Sequence, residues 1–396
     1  MSRAAAVVLC LATAAAAGNS IVFVDGQEFL NTRLIEIKDG KATLRHPKGT
    51  WIVPASNLAT VTFQRPPREV SEGSFNYYGH NGDQLRGTVT GSGDTIVLES
   101  AAVKGLKVPL EAVYAVRFGR LLGAQAQYEK AFNLLREEGR DALLMRRDTR
   151  PFPVAGRLLS IDGQKLRILR GIVQNEVEAG MVYGFVRARD EAPEDAENIR
   201  VRVHLVDGGR VTLPLETISG SKIAGGGATV ARDAVKRLEF TGKSVAQLSD
   251  FDPISVEEIA LFGDARKWRR DRMVLGGPLV LDGRAYARGL GVHAHSKIEF
   301  VLGSRWKSLF ARCGIDDAAG PEGAAIFRVY GDGKLLKEVQ RRRGQPAAQI
   351  LVDVAGVDRL VLEARPGESY TSDFCDWVEA RVFNPEKMDS PPWEGD

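Results

Sequence analysis

Two histidines, His293 and His295, sit two residues apart in GLGVHAHSKIEF (residues 289–300), an interval at which the side chains of a strand point the same way. Paired imidazoles could be half of a metal site. No third and fourth ligand follow at metal spacing, and the chain has five histidines in all. Four carboxylates, Asp316 and Asp317 in GIDD and Asp373 and Asp376 in SDFCDW, read as strand-end loop residues. They could bind calcium, which takes several oxygen ligands, or they could cap loop amides and pair with Arg312 or Arg381. The absence of EF-hand spacing favours the structural role. His46, His80 and His204 are isolated, and no G-x-S-x-G, H-E-x-x-H or Walker sequence occurs. The glycines at 225–227 lack the strand-to-helix context of a phosphate loop and read as a turn. The expectation is a protein that is not an enzyme.

The elements that must position these residues follow from composition and pattern. With 396 residues, 44% hydrophobic and 27% charged, the chain is long enough for several domains with ordinary cores. A net charge of +3 from 54 basic and 51 acidic residues is too small and too evenly spread for a nucleic-acid partner. The marked basic clusters, Arg266 to Arg272 and Arg341 to Arg343, read as solvated loop or linker. Residues 1–19 have the anatomy of a secretory signal peptide, with Arg3 ahead of an apolar run and small residues near its end. No later segment reaches membrane-spanning length. A secreted, periplasmic or cell-envelope protein is expected, in which Cys313 and Cys375 could form a disulfide or remain two separately buried thiols.

Three segments overlay without gaps: WIVPASNLATVTF ending at Phe63, LKVPLEAVYAVRF ending at Phe118 and ATVARDAVKRLEF ending at Phe240. Counting back from the last Phe, apolar residues recur at two, five and ten: Val61, Leu58, Val53; Val116, Val113, Val108; Leu238, Val235, Val230. A weaker fourth copy keeps Val177, Val182 and Phe185 but carries Arg187 in place of the Phe. Upstream of each copy, alternating apolar residues flank Asp-Gly, Gly-Asp or Gly-Gly hairpin signals. The fold class expected is mainly β: small SH3-like or Sm-like units at 20–66, 73–120, 142–190 and 198–243, with a repeated sandwich strand pair as the alternative. A spacer helix is expected at 121–141, with Tyr128, Phe132, Leu134 and Leu135 forming its packing stripe, and a polar linker at 189–198.

Residues 244–274 lose this rhythm and read as a linker, and a domain with a different pattern follows at 275–386, then a tail at 387–396. Four motifs occur in order: YARGLGVHxxS (Tyr286 to Ser296), GIDD (Gly314 to Asp317), FxVxxDGK (Phe327 to Lys334) and DWxEAR (Asp376 to Arg381). Over residues 275–384 this resembles the NPCBM family of carbohydrate-binding modules. The resemblance implies a galactose-binding-like jelly-roll β-sandwich and a carbohydrate or glycoconjugate partner, with galactose as one candidate sugar. A sugar site needs an aromatic plane with polar groups beside it. The candidate planes are Tyr286, Trp306, Tyr330 and Tyr370, and the candidate polar partners are His293, Asp316 and Arg342, while Trp377 reads as core. The alternative functions are a structural or protein-interaction component of an envelope assembly and, last, a relative or accessory of a glycoside hydrolase. Cofactors are expected to be none, or a structural calcium.

Overall fold

The computed structural model describes residues 19–66, 75–118, 125–147, 150–162, 165–188, 198–259, 267–367 and 374–393. The leader through residue 18, most of the polar linker, Arg266, Tyr370 and Asp373 lie outside the described residues.

The four repeats share one plan. Each opens with a hairpin in a common 12-stranded sheet, continues into a three-stranded meander, and returns through a 3-10 turn to a final strand in the common sheet. The gapless overlay corresponds to the last strand of the meander, the 3-10 turn and the final strand: Gly49–Pro54, Ala55–Asn57 and Leu58–Thr62 in unit 1. Alternation along a strand carries the recurring apolar residues inward, so Val53, Leu58 and Val61 are buried together with Val108, Val113, Val116, Val230, Val235 and Leu238. The weaker copy follows the same path through Val173–Glu178, Ala179–Met181 and Val182–Val186.

The units pair like with like. The final strands of units 1 and 4 run antiparallel with Val61 opposite Leu238, and their meanders meet at Ile37 and Ile218. Units 2 and 3 repeat the arrangement, with Val116 opposite Phe185 and Gly93 opposite Ile161. Units 2 and 4 connect the two pairs at Gln84 and Arg210 and at Val103 and Val230. The helix Gln125–Glu138 buries Tyr128, Phe132 and Leu135 against Phe75, Tyr78 and Tyr183, whereas Leu134, expected in that stripe, is 55% exposed.

The C-terminal domain is a β-sandwich. Its six-stranded sheet centres on Phe374–Phe383, which lies between Gly289–His293 and Ser308–Ile315, and its five-stranded sheet centres on Arg359–Pro366. Trp377, Phe300, Phe327 and Leu309 fill the space between them. The expected linker at 244–274 belongs to this domain instead. Val245–Gln247 pairs with the strand ending at Phe383, Ser255–Glu258 with Ser296–Val301, and Arg269–Arg270 with Gly289–His293. Runs of two to four residues are too short to display the alternation that identifies strands in a sequence. Gly291, in the GLG motif, lets this added chain pass: a Cβ there would lie 2.2 Å from the Arg272 carbonyl oxygen. Cys313 and Cys375 are buried thiols with no bridge between them, on neighbouring strands where Cys375 faces Ile315 and Cys313 faces Trp377.

The sandwich is joined to the units through buried polar contacts. Arg381, 2% exposed, donates from Nε to the Val24 carbonyl at 2.8 Å and from Nη2 to that of Phe23 at 2.9 Å, and its guanidinium lies 4.3 Å from the centre of the Phe310 ring. The turn that receives it packs so closely that a Cβ on Gly26, at φ +88°, would fall 2.0 Å from Phe310. Glu239 of unit 4 is 1% exposed and lies 3.2 Å from Arg202, Arg237 and Arg288, the last from the YARGLG motif. These guanidinium groups hold its carboxyl well below the usual carboxylate range. His204 touches the same carboxylate, but burial pushes its pKa down to about 4, so the imidazole is neutral at pH 7. Beyond the sandwich, Glu386 accepts from the Ser56 hydroxyl and exchanges hydrogen bonds with Asn57, and Trp393 stacks on His46 with ring centres 4.6 Å apart.

Replacing Glu239 with Gln leaves Arg237 without a carboxylate among the described residues, Arg202 with Asp250 alone, and Arg288 with Asp250 and Asp271. Glu239→Gln is expected to lower unfolding free energy by about 3–5 kcal/mol, measured by urea denaturation at neutral pH. A loss under about 1 kcal/mol would mean that Asp250 and solvent already balance the arginines.

Candidate functional site

The strand Phe374–Phe383 gives the sandwich two ends. Arg381 and Phe383 lie at the end near the units, and Phe374 lies roughly 23 Å away by the rise of an extended chain. At the Phe374 end, three stretches meet. His293 is paired with Phe374, the Asp316 amide donates to the Phe374 carbonyl at 2.9 Å, and Arg343, next to Arg342, is bonded to Asp317. His293, Asp316 and Arg342 are therefore brought to one loop end. Tyr370 and Asp373 lie outside the described residues.

The other expected aromatic planes are elsewhere. Trp306 is 4% exposed and packed in the core, because its neighbour Ser308 pairs with Phe383 at the end held against the units. Tyr330 gives its hydroxyl to Glu363 and stands at the far end of the hairpin from Arg342, which pairs with Ala324. Tyr286 is half-buried on the hairpin Arg284–Tyr286, beneath the Arg284 guanidinium that pairs with Glu28 of unit 1. These three do not share a site with His293.

The two histidines also diverge. The strand ends at His293, and His295 adopts φ +68° in the turn before Ser296–Val301, so the same-face spacing expected from a continuous strand is broken. His293 Nδ1 lies 2.5 Å from the Ala294 carbonyl oxygen, and its buried Nε2 has no partner. Among the described residues no three His, Cys, Asp or Glu side chains converge as a metal site.

Of the four candidate calcium ligands, Asp316 and Asp376 meet. Asp376 is fully buried, opposite Gly291 and Gly314 on its flanking strands. Asp316 accepts the Val280 amide at 3.0 Å and the Ala318 amide at 2.8 Å, while Asp317 accepts the Gly283 amide and pairs with Arg343 at 3.0 Å. Neither Asp376 oxygen has a donor. Burial and the nearby charges of Asp316 and Asp317 raise the Asp376 pKa well above its ordinary value. GIDD and DWxEAR thus contribute the two halves of a buried acid pair.

An open cavity lies between the edge strands of the two sheets. It has a volume of about 610 Å³ and lies between Val256 and Glu258 on one side and Lys267 to Arg270 on the other, closed by Arg272. Glu258 pairs with Ser296 and Arg269 with Gly291, so the turn carrying His293 and His295 runs between the two cavity walls. Trp268 is half-buried, its amide donates to the Glu258 carboxylate, and Arg270 lies 5.2 Å from its ring centre. Trp268 lies inside RKWRRDR, which the sequence presents as a solvated basic run, and the aromatic within that run is the signal for it.

A family model described as the NPCBM/NEW2 domain matches residues 244–383 and so takes in the short strands that precede the four motifs. The C-terminal sandwich is an NPCBM/NEW2 domain. This places it in a family of carbohydrate-binding modules. Two curated proteins align with it. A Renibacterium salmoninarum protein named as an endo-alpha-N-acetylgalactosaminidase is 38% identical over 110 residues, and an alpha-1,3-galactosidase B of Akkermansia muciniphila is 34% identical over 116. The alignments cover 27% and 28% of this chain, and only 7% and 15% of those proteins. Among solved structures, a CBM51 from Clostridium perfringens GH95 in complex with methyl-galactose is 22% identical, covering 35% of this chain and 99% of that one, with a TM-score of 0.32. The CBM51-2 and INT domains of Clostridium perfringens ZmpB, in complex with GlcNAc, are 23% identical over 49% of this chain and 39% of that one, also with a TM-score of 0.32.

The acid pair of the NPCBM/NEW2 domain has a signed pH dependence. A carboxyl with a raised folded pKa contributes stability that is full below about pH 4 and is lost as pH rises through the folded value. Asp376→Asn keeps a donor for Asp316 and removes the ionisation. Its stability relative to the parent is expected to improve from pH 4 to pH 7 by up to about 1.4 kcal/mol per pH unit, measured by denaturant titration. A pH-independent difference would mean that Asp376 is not held protonated.

Proposed function

We propose that this protein is an exported, non-catalytic carbohydrate-binding protein whose NPCBM/NEW2 domain takes a glycan or glycoconjugate in the cleft at Trp268. The observation that carries the reading is the coincidence of that family match with an open cleft containing an indole between the edge strands of the two sheets. A cavity of this size suits a mono- or disaccharide, since small-ligand sites run from about 300 to about 1,000 Å³. The apolar face of a sugar can rest on the indole, with Glu258 and the neighbouring cations for its hydroxyls. Export rests on the leader-like residues 1–19, and galactose is one candidate sugar. The first test is a glycan array probed with the full chain: binding is expected and should fall about 30-fold or more in Trp268→Ala, the loss of a stacking contact worth about 2 kcal/mol or more. An array blank for a folded protein would overturn the reading.

The reading needs no cofactor. A calcium ion at Asp316 and Asp376 is the alternative to a protonated Asp376. If the proton holds the pair, EDTA and added CaCl2 leave the melting temperature unchanged, whereas a rise with calcium would favour the ion.

A second reading, a protein-interaction component of a cell envelope, has one observation in its favour. The edge strand Val173–Glu178 of unit 3 and the residues beside it expose apolar side chains: Ile172 is 97%, Val173 56% and Met181 53% exposed. Unpaired amides beside apolar side chains can accept another strand. A stoichiometric partner crosslinked at residue 173, together with a blank glycan array, would favour this reading over the first.

A further inference from the structure

The charge of the Trp268 cleft selects among sugars. Resting on the carbohydrate reading above, we propose that the cleft takes an acidic saccharide, one that carries a carboxylate or a sulfate. Four of its lining side chains, Lys267, Arg269, Arg270 and Arg272, are cationic, against the single carboxylate of Glu258. That carboxylate already accepts the Trp268 amide. Arg270 is also committed, pairing with Asp252 at 2.6 Å while it lies against the indole.

The remaining three cations differ from Arg270 in their partners among the described residues. Arg269 donates from Nε to the Val274 carbonyl at 2.9 Å and Arg272 from Nη1 to that of Gly276 at 3.3 Å. Both bonds are to neutral oxygens; they fix the side chains and leave most of each guanidinium's five N–H groups unused. Lys267 is exposed at the same rim. Among the described residues, none of these three has a carboxylate partner. Elsewhere in the domain, Arg284, Arg288, Arg312, Arg328, Arg343 and Arg359 are each paired with an acid. Unpaired cations gathered beside an indole, with backbone carbonyls fixing two of them, match a ring bearing one negative group: the ring stacks and the anion takes charge-assisted hydrogen bonds. A neutral sugar would leave those cations without a counter-charge.

The test uses the full chain and titration calorimetry with three probes on one core: lactose, 3′-sialyllactose and 3′-sulfolactose. The acidic probes are expected to bind at least about tenfold tighter than lactose, by the worth of one charge-assisted hydrogen bond. That preference should weaken as salt rises from about 50 to about 500 mM. Lys267→Gln/Arg272→Gln, two exposed positions, should bring the acidic probes to within about threefold of lactose; unchanged circular dichroism and melting temperature establish that it is folded. Which acidic probe binds tighter separates a carboxylate source from a sulfate source. Lactose binding as tightly as both acidic probes would overturn the inference and leave the carbohydrate reading standing. No heat with any probe, combined with a blank array, would overturn both.

Discussion

Arg381 is a guanidinium with almost no access to water, and its position is tolerable because two backbone carbonyls of unit 1 and the face of Phe310 replace its hydration. The carbonyls belong to the last residue of strand Ser20–Phe23 and to the turn residue after it, and the arginine belongs to the central strand of the sandwich. That contact sets which end of the sandwich is closed. Arg381, Phe383 and the added strand Val245–Gln247 lie against the units, and Arg284 and Arg288 add ion pairs to Glu28 and Glu239. The cleft at Trp268 lies between Ser255–Glu258 and Arg269–Arg270, the edge strands of the two sheets.

The same arrangement accounts for the role of the motifs. Arg288 and Arg381 are motif residues turned toward buried partners, Glu239 in one case and the Val24 and Phe23 carbonyls in the other. Gly291 and Gly314 stand opposite Asp376, and Asp316 caps the loop that brings it beside that acid. Most of the four ordered motifs therefore encodes the framework of the sandwich. The cleft is lined largely by residues that precede them.

This division explains what the sequence could convey. The repeated spacing of Val53, Leu58 and Val61 and their counterparts reports a buried face at period two interrupted by a 3-10 turn, a local pattern that survives without knowledge of partners. The sandwich was legible through its ordered motifs. The strands within 244–274 were not, since two to four residues cannot display a period, and their pairing is decided by Gly291 and Ile298 far along the chain. Trp306, Tyr330 and Trp268 differ in position rather than in type. Their distinction rests on which end of a strand each occupies, and that is a property of topology. The like-with-like pairing of units was equally invisible, because identical edges are compatible with several orders.

Pairing unit 1 with unit 4, and anchoring Asn57 to Glu386, has a consequence for how the chain acquires its shape. Val61 finds Leu238 only after some 177 further residues exist, and Asn57 waits for a partner 329 positions later. A ribosome or an export channel releases the first unit long before its neighbours, so its sheet edge stays uncovered during synthesis. Contacts this distant in sequence slow the search for the native state. The exposed interval is one in which a stalled or shortened chain would present an open strand to other chains.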